Sequence, residues 1–180
     1  MRVISGKCRG TNLVGPEGMG TRPTTDRIKE TIFNMIAFDI PECRFLDLFS
    51  GSGAMAIESL SRGASEAVLV EKDEKALKCI RQNLEKTRLT EDAKVYACDV
   101  NEAIKRLEGK QFDIIFMDPP YALEYISEVL ENIVKYNLLA EEGYIILESG
   151  VKSIVKYPEN LVLWKEKNYR ITTLSFLKRG

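Results

Sequence analysis

The residue pattern predicts an α/β fold. We expect a doubly wound, mostly parallel sheet of seven strands, preceded by a small amino-terminal hairpin and helix. Two observations lead there. Short apolar runs recur along the chain, and most are followed by a segment whose apolar residues fall at helical spacing. Strand and helix in alternation place the strands side by side in a parallel sheet covered by helices. In addition, four acidic residues each close one of these runs: Asp47 after RFL, Glu71 after AVLV, Asp99 after KVYAC and Asp118 after FDIIFM. Ligands of such sheets bind outside the carboxyl ends of the strands, so these acids are expected at the ligand edge.

The elements follow in order. MRVISGKCRGTNLVGPEGMG reads as two short extended pieces around Gly6 and Gly10, a small hairpin, then a Gly- and Pro-containing loop. In TRPTTDRIKETIFNMIAF, Thr24 or Thr25 can cap a helix with the stripe Ile28, Ile32, Phe33, Met35 and Ile36, and Pro41 ends it. The strand 44–49 leads through SGSG into a helix from Ala54 to about Arg62. The strand 67–70 precedes a helix carrying Ala76, Leu77, Ile80 and Leu84. The strand 94–98 precedes a helix around 103–107, and the strand 112–117 runs into DPPY and a helix near 125–136. Three more strands, 144–148, 161–165 and 171–177, complete the sheet. The last two have little between them and predict an antiparallel hairpin at one edge. One domain over 1–180 is expected, with 1–20 a basic extension and 21–180 the core.

Composition excludes several classes of function. The chain has 180 residues, 44% hydrophobic and 29% charged, a balance suited to a globular domain. No apolar stretch is long enough to span a membrane and no signal peptide opens the chain, so a cytoplasmic protein is expected. Histidine is absent, which excludes a Ser-His-Asp triad, a His base and a His-dependent zinc site. The four cysteines, Cys8, Cys43, Cys79 and Cys98, form no CxxC pair and are read as small buried hydrophobes. Net charge is −1, yet the first 29 residues hold Arg2, Lys7, Arg9, Arg22, Arg27 and Lys29 against Glu17 and Asp26. That local excess suggests a contact with phosphates.

The acids point to a ligand of particular charge. Several carboxylates at one edge resist ionising together unless a cation sits among them. S-adenosylmethionine carries a sulfonium and an ammonium group and meets that requirement; the pyrophosphate of a dinucleotide does not. The run DLFSGSGAMAIE places Gly51 and Gly53 between a strand and a helix, and Glu71 follows Gly51 by twenty residues. Glycines permit a sharp turn and close approach of a ligand, and an acid at that distance suits ribose hydroxyls. A nicotinamide enzyme shares this turn. Asp47 argues against it, because a carboxylate ahead of the glycines would oppose a pyrophosphate. Asp99 suits the exocyclic amine of an adenine, with the cap of the helix after it as the alternative.

Asp118-Pro119-Pro120-Tyr121 is the most specific local signal. Prolines stiffen the turn and remove N–H groups, so it presents acceptors. Asp118 and the Pro119 carbonyl could each take one N–H of an amine, aim its lone pair at a methyl donor, and stabilise the positive charge growing on nitrogen. Tyr121 could stack on an extruded base. No metal and no strong base are needed, since positioning against an activated donor supplies much of the catalysis. A protein that keeps the fold without catalysis remains an alternative, and it would bind no cofactor.

Together these residues resemble a class I S-adenosylmethionine-dependent methyltransferase of the amino-methylating kind. RVISGKCRG, TRPTTDRIKETIFN, FLDLFSGSGAMAIESLSRGA, VEKD and DPPY closely resemble the RsmD family, bacterial enzymes that methylate the N2 amine of one guanine in 16S ribosomal RNA. The likeness covers nearly the whole chain. It implies that Asp47, Phe49, Ser50, Gly51 and Gly53 cradle the methionine part of the cofactor. It likewise places Glu71 and Lys72 at the ribose, and Asp99 and Val100 at the adenine. Asp118 borders both cofactor and target, with Pro119, Pro120 and Tyr121 holding the target amine. Arg22 and Thr24 would border the cofactor pocket. Arg2, Lys7, Arg9, Arg22 and Arg27 would meet the RNA, in a small-subunit assembly particle or in a folded RNA domain. Guanine as the target rests on the resemblance; adenine N6 in DNA or RNA, or a protein amide, are the alternative acceptors.

Overall fold

The computed structural model describes residues 1–16, 23–119, 123–151 and 153–180, with side chains from residue 26 in its first helix and from residue 124 in its fifth. Helix α1 spans Pro23–Met35, α2 Ala54–Ser61, α3 Glu74–Thr87, α4 Val100–Arg106 and α5 Leu123–Lys135. The strands are β1 Arg44–Asp47, β2 Glu66–Glu71, β3 Ala93–Ala97, β4 Phe112–Met117, β5 Leu139–Gly150, β6 Leu161–Asn168 and β7 Thr172–Arg179. They form one seven-stranded sheet in the order β3-β2-β1-β4-β5-β7-β6. The expected architecture holds. The chain divides into two compact units, 1–98 and 99–180.

In the first unit β1 pairs in parallel with β2, and β2 with β3. Residues 67–70 of β2 are wholly buried, as befits a parallel strand covered on both faces. Gly53 opens α2 in the left-handed region, at φ 78°. A Cβ there would lie 3.0 Å from Leu69 Cδ2, so the close packing of turn on sheet requires glycine. Helix α3 is capped by Asp73, whose Oδ2 accepts from the Ala76 N–H at 2.8 Å.

Several details depart from the sequence reading. Helix α1 starts at Pro23, so Thr24 and Thr25 lie in its first turn and are not its caps. Proline suits that first position, where its missing N–H costs nothing. The helix ends at Met35, well before Pro41. The amino-terminal hairpin reduces to one bridge, Arg2 with Asn12, closed by short-range bonds such as Val3 N–H to Thr11 O at 3.0 Å. Of the cysteines only Cys43 is buried; Cys8, Cys79 and Cys98 are half-buried.

In the second unit β4 and β5 are parallel, while β7 pairs antiparallel with both β5 and β6. The carboxyl-terminal hairpin therefore forms as expected, with β6 at the edge. Strand β5 begins at Leu139, earlier than the apolar run suggests, because Leu139 pairs with Phe112 before a register shift resumes at Ile114 with Tyr144. Gly143 sits at that irregularity, where a Cβ would come within 2.9 Å of the Phe112 and Asp113 carbonyl oxygens.

Candidate active site

Parallel register sets the first group of acids. Asp47 is the last residue of β1 and pairs with Leu69, so Glu71 stands two residues further along β2. Glu71 in turn pairs with Ala97, and Asp99 lies two residues beyond that. The acids thus step along the carboxyl ends of three neighbouring strands. Asp47 is fully buried.

The glycine turn is tied to this row. Glu71 Oε2 accepts the Gly51 N–H at 2.8 Å, while Oε1 accepts the N–H groups of Lys72 at 2.8 Å and Asp73 at 2.9 Å. Ser50 locks the turn from below: its hydroxyl donates to the Asp47 carbonyl at 2.9 Å and accepts the Val70 N–H at 3.1 Å. Gly51 has φ 52°, and a Cβ there would meet nothing within 4 Å. Its backbone therefore faces open space, the surface a closely approaching ligand needs. Phe49 beside it is half-buried and Lys72 is exposed. Asn83, wholly buried on α3, donates to Ser52 O at 2.9 Å and to Val14 O at 2.8 Å, and accepts the Val14 N–H at 2.8 Å. One side chain thus binds the turn to the amino-terminal arm, a link that nothing in the local pattern signalled.

Asp99 caps α4, its Oδ1 accepting the Asn101 N–H at 3.0 Å and lying 3.5 Å from the Tyr125 hydroxyl. Val100 beside it is buried. The capping alternative is therefore realised.

At the end of β4 a second acidic pair appears. Asp118 follows Met117, which pairs with Leu147 of β5; the next residue of β5 is Glu148. The Asp118 residue as a whole is exposed, yet enough protein surrounds its carboxyl group that desolvation raises its pKa. Glu148 is half-buried, and its pKa is pushed up to about 7 by burial and by the charge of Asp118, against the Thr172 hydroxyl, which donates to Oε1 at 3.0 Å. Sequence reading missed Glu148. Its signal was available: LESG ends an apolar run with an acid, as do the four acids singled out. Pro119 is half-buried, while Pro120, Tyr121 and Arg22 lie outside the described residues, as does the side chain of Thr24.

The basic arm is less free than its charge suggested. Lys29 is 2% exposed and donates to Glu58 Oε2 at 3.1 Å and to the Arg2 carbonyl at 2.6 Å. It faces inward because it shares a helical stripe with Ile32, Phe33 and Ile36. Lys7 pairs with Asp92 at 3.3 Å. Arg2, Arg9 and Arg27 are exposed.

Known proteins share this arrangement of chain. The family described as Conserved hypothetical protein 95 matches residues 1–178. YlbH of Bacillus subtilis (strain 168) is 39% identical over 99% of each chain. Ribosomal RNA small subunit methyltransferase D of Escherichia coli (strain K12) is 36% identical over 93% of this chain and 84% of its own. The solved structure of yhhF from Escherichia coli superposes with a TM-score of 0.89 at 33% identity, covering 100% of this chain and 98% of that one.

Proposed function

This chain belongs to the Conserved hypothetical protein 95 family, and we propose that it transfers a methyl group from S-adenosylmethionine to the exocyclic N2 amine of a guanine in 16S ribosomal RNA. The observation that carries this reading is the hydrogen bond from Gly51 N–H to Glu71 Oε2 at 2.8 Å. It joins an anionic side chain to a glycine turn whose outer side is open. That combination suits a ligand bearing ribose hydroxyls, and the buried Asp47 ahead of the glycines favours positive charge and opposes a pyrophosphate. The relatives named as small-subunit ribosomal RNA methyltransferases support the substrate class.

The residues fit the cofactor. Asp47, Phe49, Ser50, Gly51 and Gly53 would hold its methionine part, with Asp47 supplying negative charge toward the ammonium group. Glu71, already oriented by backbone N–H groups, would take ribose hydroxyls on its remaining lone pairs, beside Lys72. Asp99 and Val100 would meet the adenine. Bound there, S-adenosylmethionine supplies a methyl group activated by its sulfonium. Arg22 and Thr24 would border the pocket.

Asp118 and the Pro119 carbonyl would accept the two N–H groups of the target amine. This turns the nitrogen lone pair toward the methyl group and favours the charge that develops on nitrogen. An amine donor also offsets the desolvation that raises the Asp118 pKa. Pro120 would stiffen the turn, and Tyr121 would stack on the base. Arg2, Lys7, Arg9, Arg22 and Arg27 would contact RNA phosphates, within a small-subunit assembly particle in the cytoplasm. No resident metal is needed for these roles.

Labelled S-adenosylmethionine, offered with small-subunit RNA, small-subunit particles, DNA and protein, tests the proposal. Label should enter RNA as N2-methylguanine. Asp118→Ala should lower transfer by on the order of 10²–10³-fold while calorimetry still detects cofactor binding. Normal transfer by the variant, or label confined to DNA or protein, would overturn it.

A further inference from the structure

We propose that Glu148 is the specificity-determining residue that reads the ring nitrogen beside the target amine, and so selects guanine over adenine. The inference rests on the guanine-amine reading above and gives it a physical cause.

Asp118 and the Pro119 carbonyl serve an exocyclic amine of either base and cannot tell them apart. The neighbouring ring atom can. Beside its 2-amine guanine carries N1–H, a donor; beside its 6-amine adenine carries N1 with a bare lone pair. An ionised carboxylate next to the amine-binding group, the form Glu148 takes above about pH 7, accepts the first and repels the second. A site built to hydrogen-bond a donor rejects an analogue lacking it far more strongly than an apolar pocket rejects a change of size.

Glu148 has the right placement. Met117 pairs with Leu147, so Asp118 and Glu148 continue neighbouring parallel strands at their carboxyl ends. From the other flank β7 brings Thr172, whose hydroxyl donates to Glu148 Oε1 at 3.0 Å. That bond orients the carboxylate, and among the described residues Oε2 takes no hydrogen bond. Among the described residues, the groups set against Glu148 are thus the acid Asp118 and the neutral Thr172. Two partly desolvated carboxylates side by side are costly when empty. A guanine edge, with N1–H next to N2–H2, offers the row of donors that offsets this cost; no adenine edge does.

The test uses one chemical substitution in the RNA. Mass spectrometry locates the guanine that the wild-type protein methylates. That position is replaced by 2,6-diaminopurine in a ligated RNA, which keeps the 2-amine but exchanges N1–H for a lone pair. At a pH above about 7, where Glu148 is ionised, wild-type kcat/KM should favour guanine by about tenfold or more. Glu148→Gln, whose amide can both donate and accept, should bring the ratio to within about threefold of unity while cofactor binding measured by calorimetry is retained. Thr172→Val should narrow the ratio less. Equal wild-type rates on the two bases would overturn the proposal, and that comparison needs no variant. So would a Glu148→Gln protein that loses the same factor on both. Methyl found on another atom in the first step would overturn the guanine-amine reading itself, a result distinct from either.

Discussion

Two acidic centres of this molecule are built in opposite ways. Glu58, on α2, is fully buried and takes four hydrogen bonds: Ile4 N–H at 2.8 Å, Ser5 N–H at 3.0 Å, Lys29 Nζ at 3.1 Å and Arg62 Nε at 2.7 Å. Two cations and two amides surround one anion, and the centre fastens the amino-terminal arm to α1 and α2. Glu148, on β5, is less buried, takes one hydrogen bond among the described residues, from Thr172, and has a like charge beside it in Asp118. The comparison teaches how to separate a staple from a site. An acid whose lone pairs are met by its own chain holds structure; an acid set against another acid awaits donors from outside.

Removing the staple should produce the larger effect. Glu58→Ala leaves Lys29 and Arg62 without their anion, and the Lys29 charge stays 2% exposed. Urea unfolding is expected to show a loss of about 3–5 kcal/mol. A loss below about 1 kcal/mol would mean that Lys29 escapes to solvent and that the arm is not held as described.

At the site the sign reverses. Glu148 has a folded pKa of about 7, above its ordinary 4.5, so the folded chain holds this proton more tightly than the unfolded chain. Its contribution is fully favourable below about pH 4.5 and is lost as pH rises through about 7. Glu148→Gln should therefore be more stable than wild type by about 1–3 kcal/mol near pH 8. That advantage should vanish near pH 4 on the same scale, at roughly the unperturbed carboxyl pKa. Unfolding curves at the two pH values decide. A variant less stable at high pH would make Glu148 a staple like Glu58.

The smallest effect belongs to the surface. Lys7 and Asp92 form an ion pair with side chains 57% and 44% exposed. Lys7→Ala should change stability by no more than about 0.5 kcal/mol. If Lys7 exchanges Asp92 for a phosphate, the same change should flatten the salt dependence of RNA affinity by about one unit of slope. An unaltered slope would remove Lys7 from the RNA surface.

Much of this was legible before any coordinates. Strand 112–117 was bounded correctly because its apolar run ends abruptly at Asp118. Helix α3 declared itself by the stripe Ala76, Leu77, Ile80 and Leu84, all buried. Boundaries set by pairing were not legible: Leu139 joins β5 only because Phe112 lies opposite. Nor was the start of α1, which includes Pro23 ahead of the two threonines read as caps.

The order of residues by itself determined the alternation of strands and helices, the glycine turn and the acids closing the strands. These depend on side-chain periodicity and on the φ each residue tolerates, both properties of a few neighbouring residues. Only the tertiary structure decided which charges are satisfied and which remain available. Lys29 meets Glu58 across 29 residues, and Glu148 meets Thr172 across 24. Whether a charge is a fastening or a reagent depends on the solvent removed around it and on the partners that packing supplies, and neither is a local property of the chain.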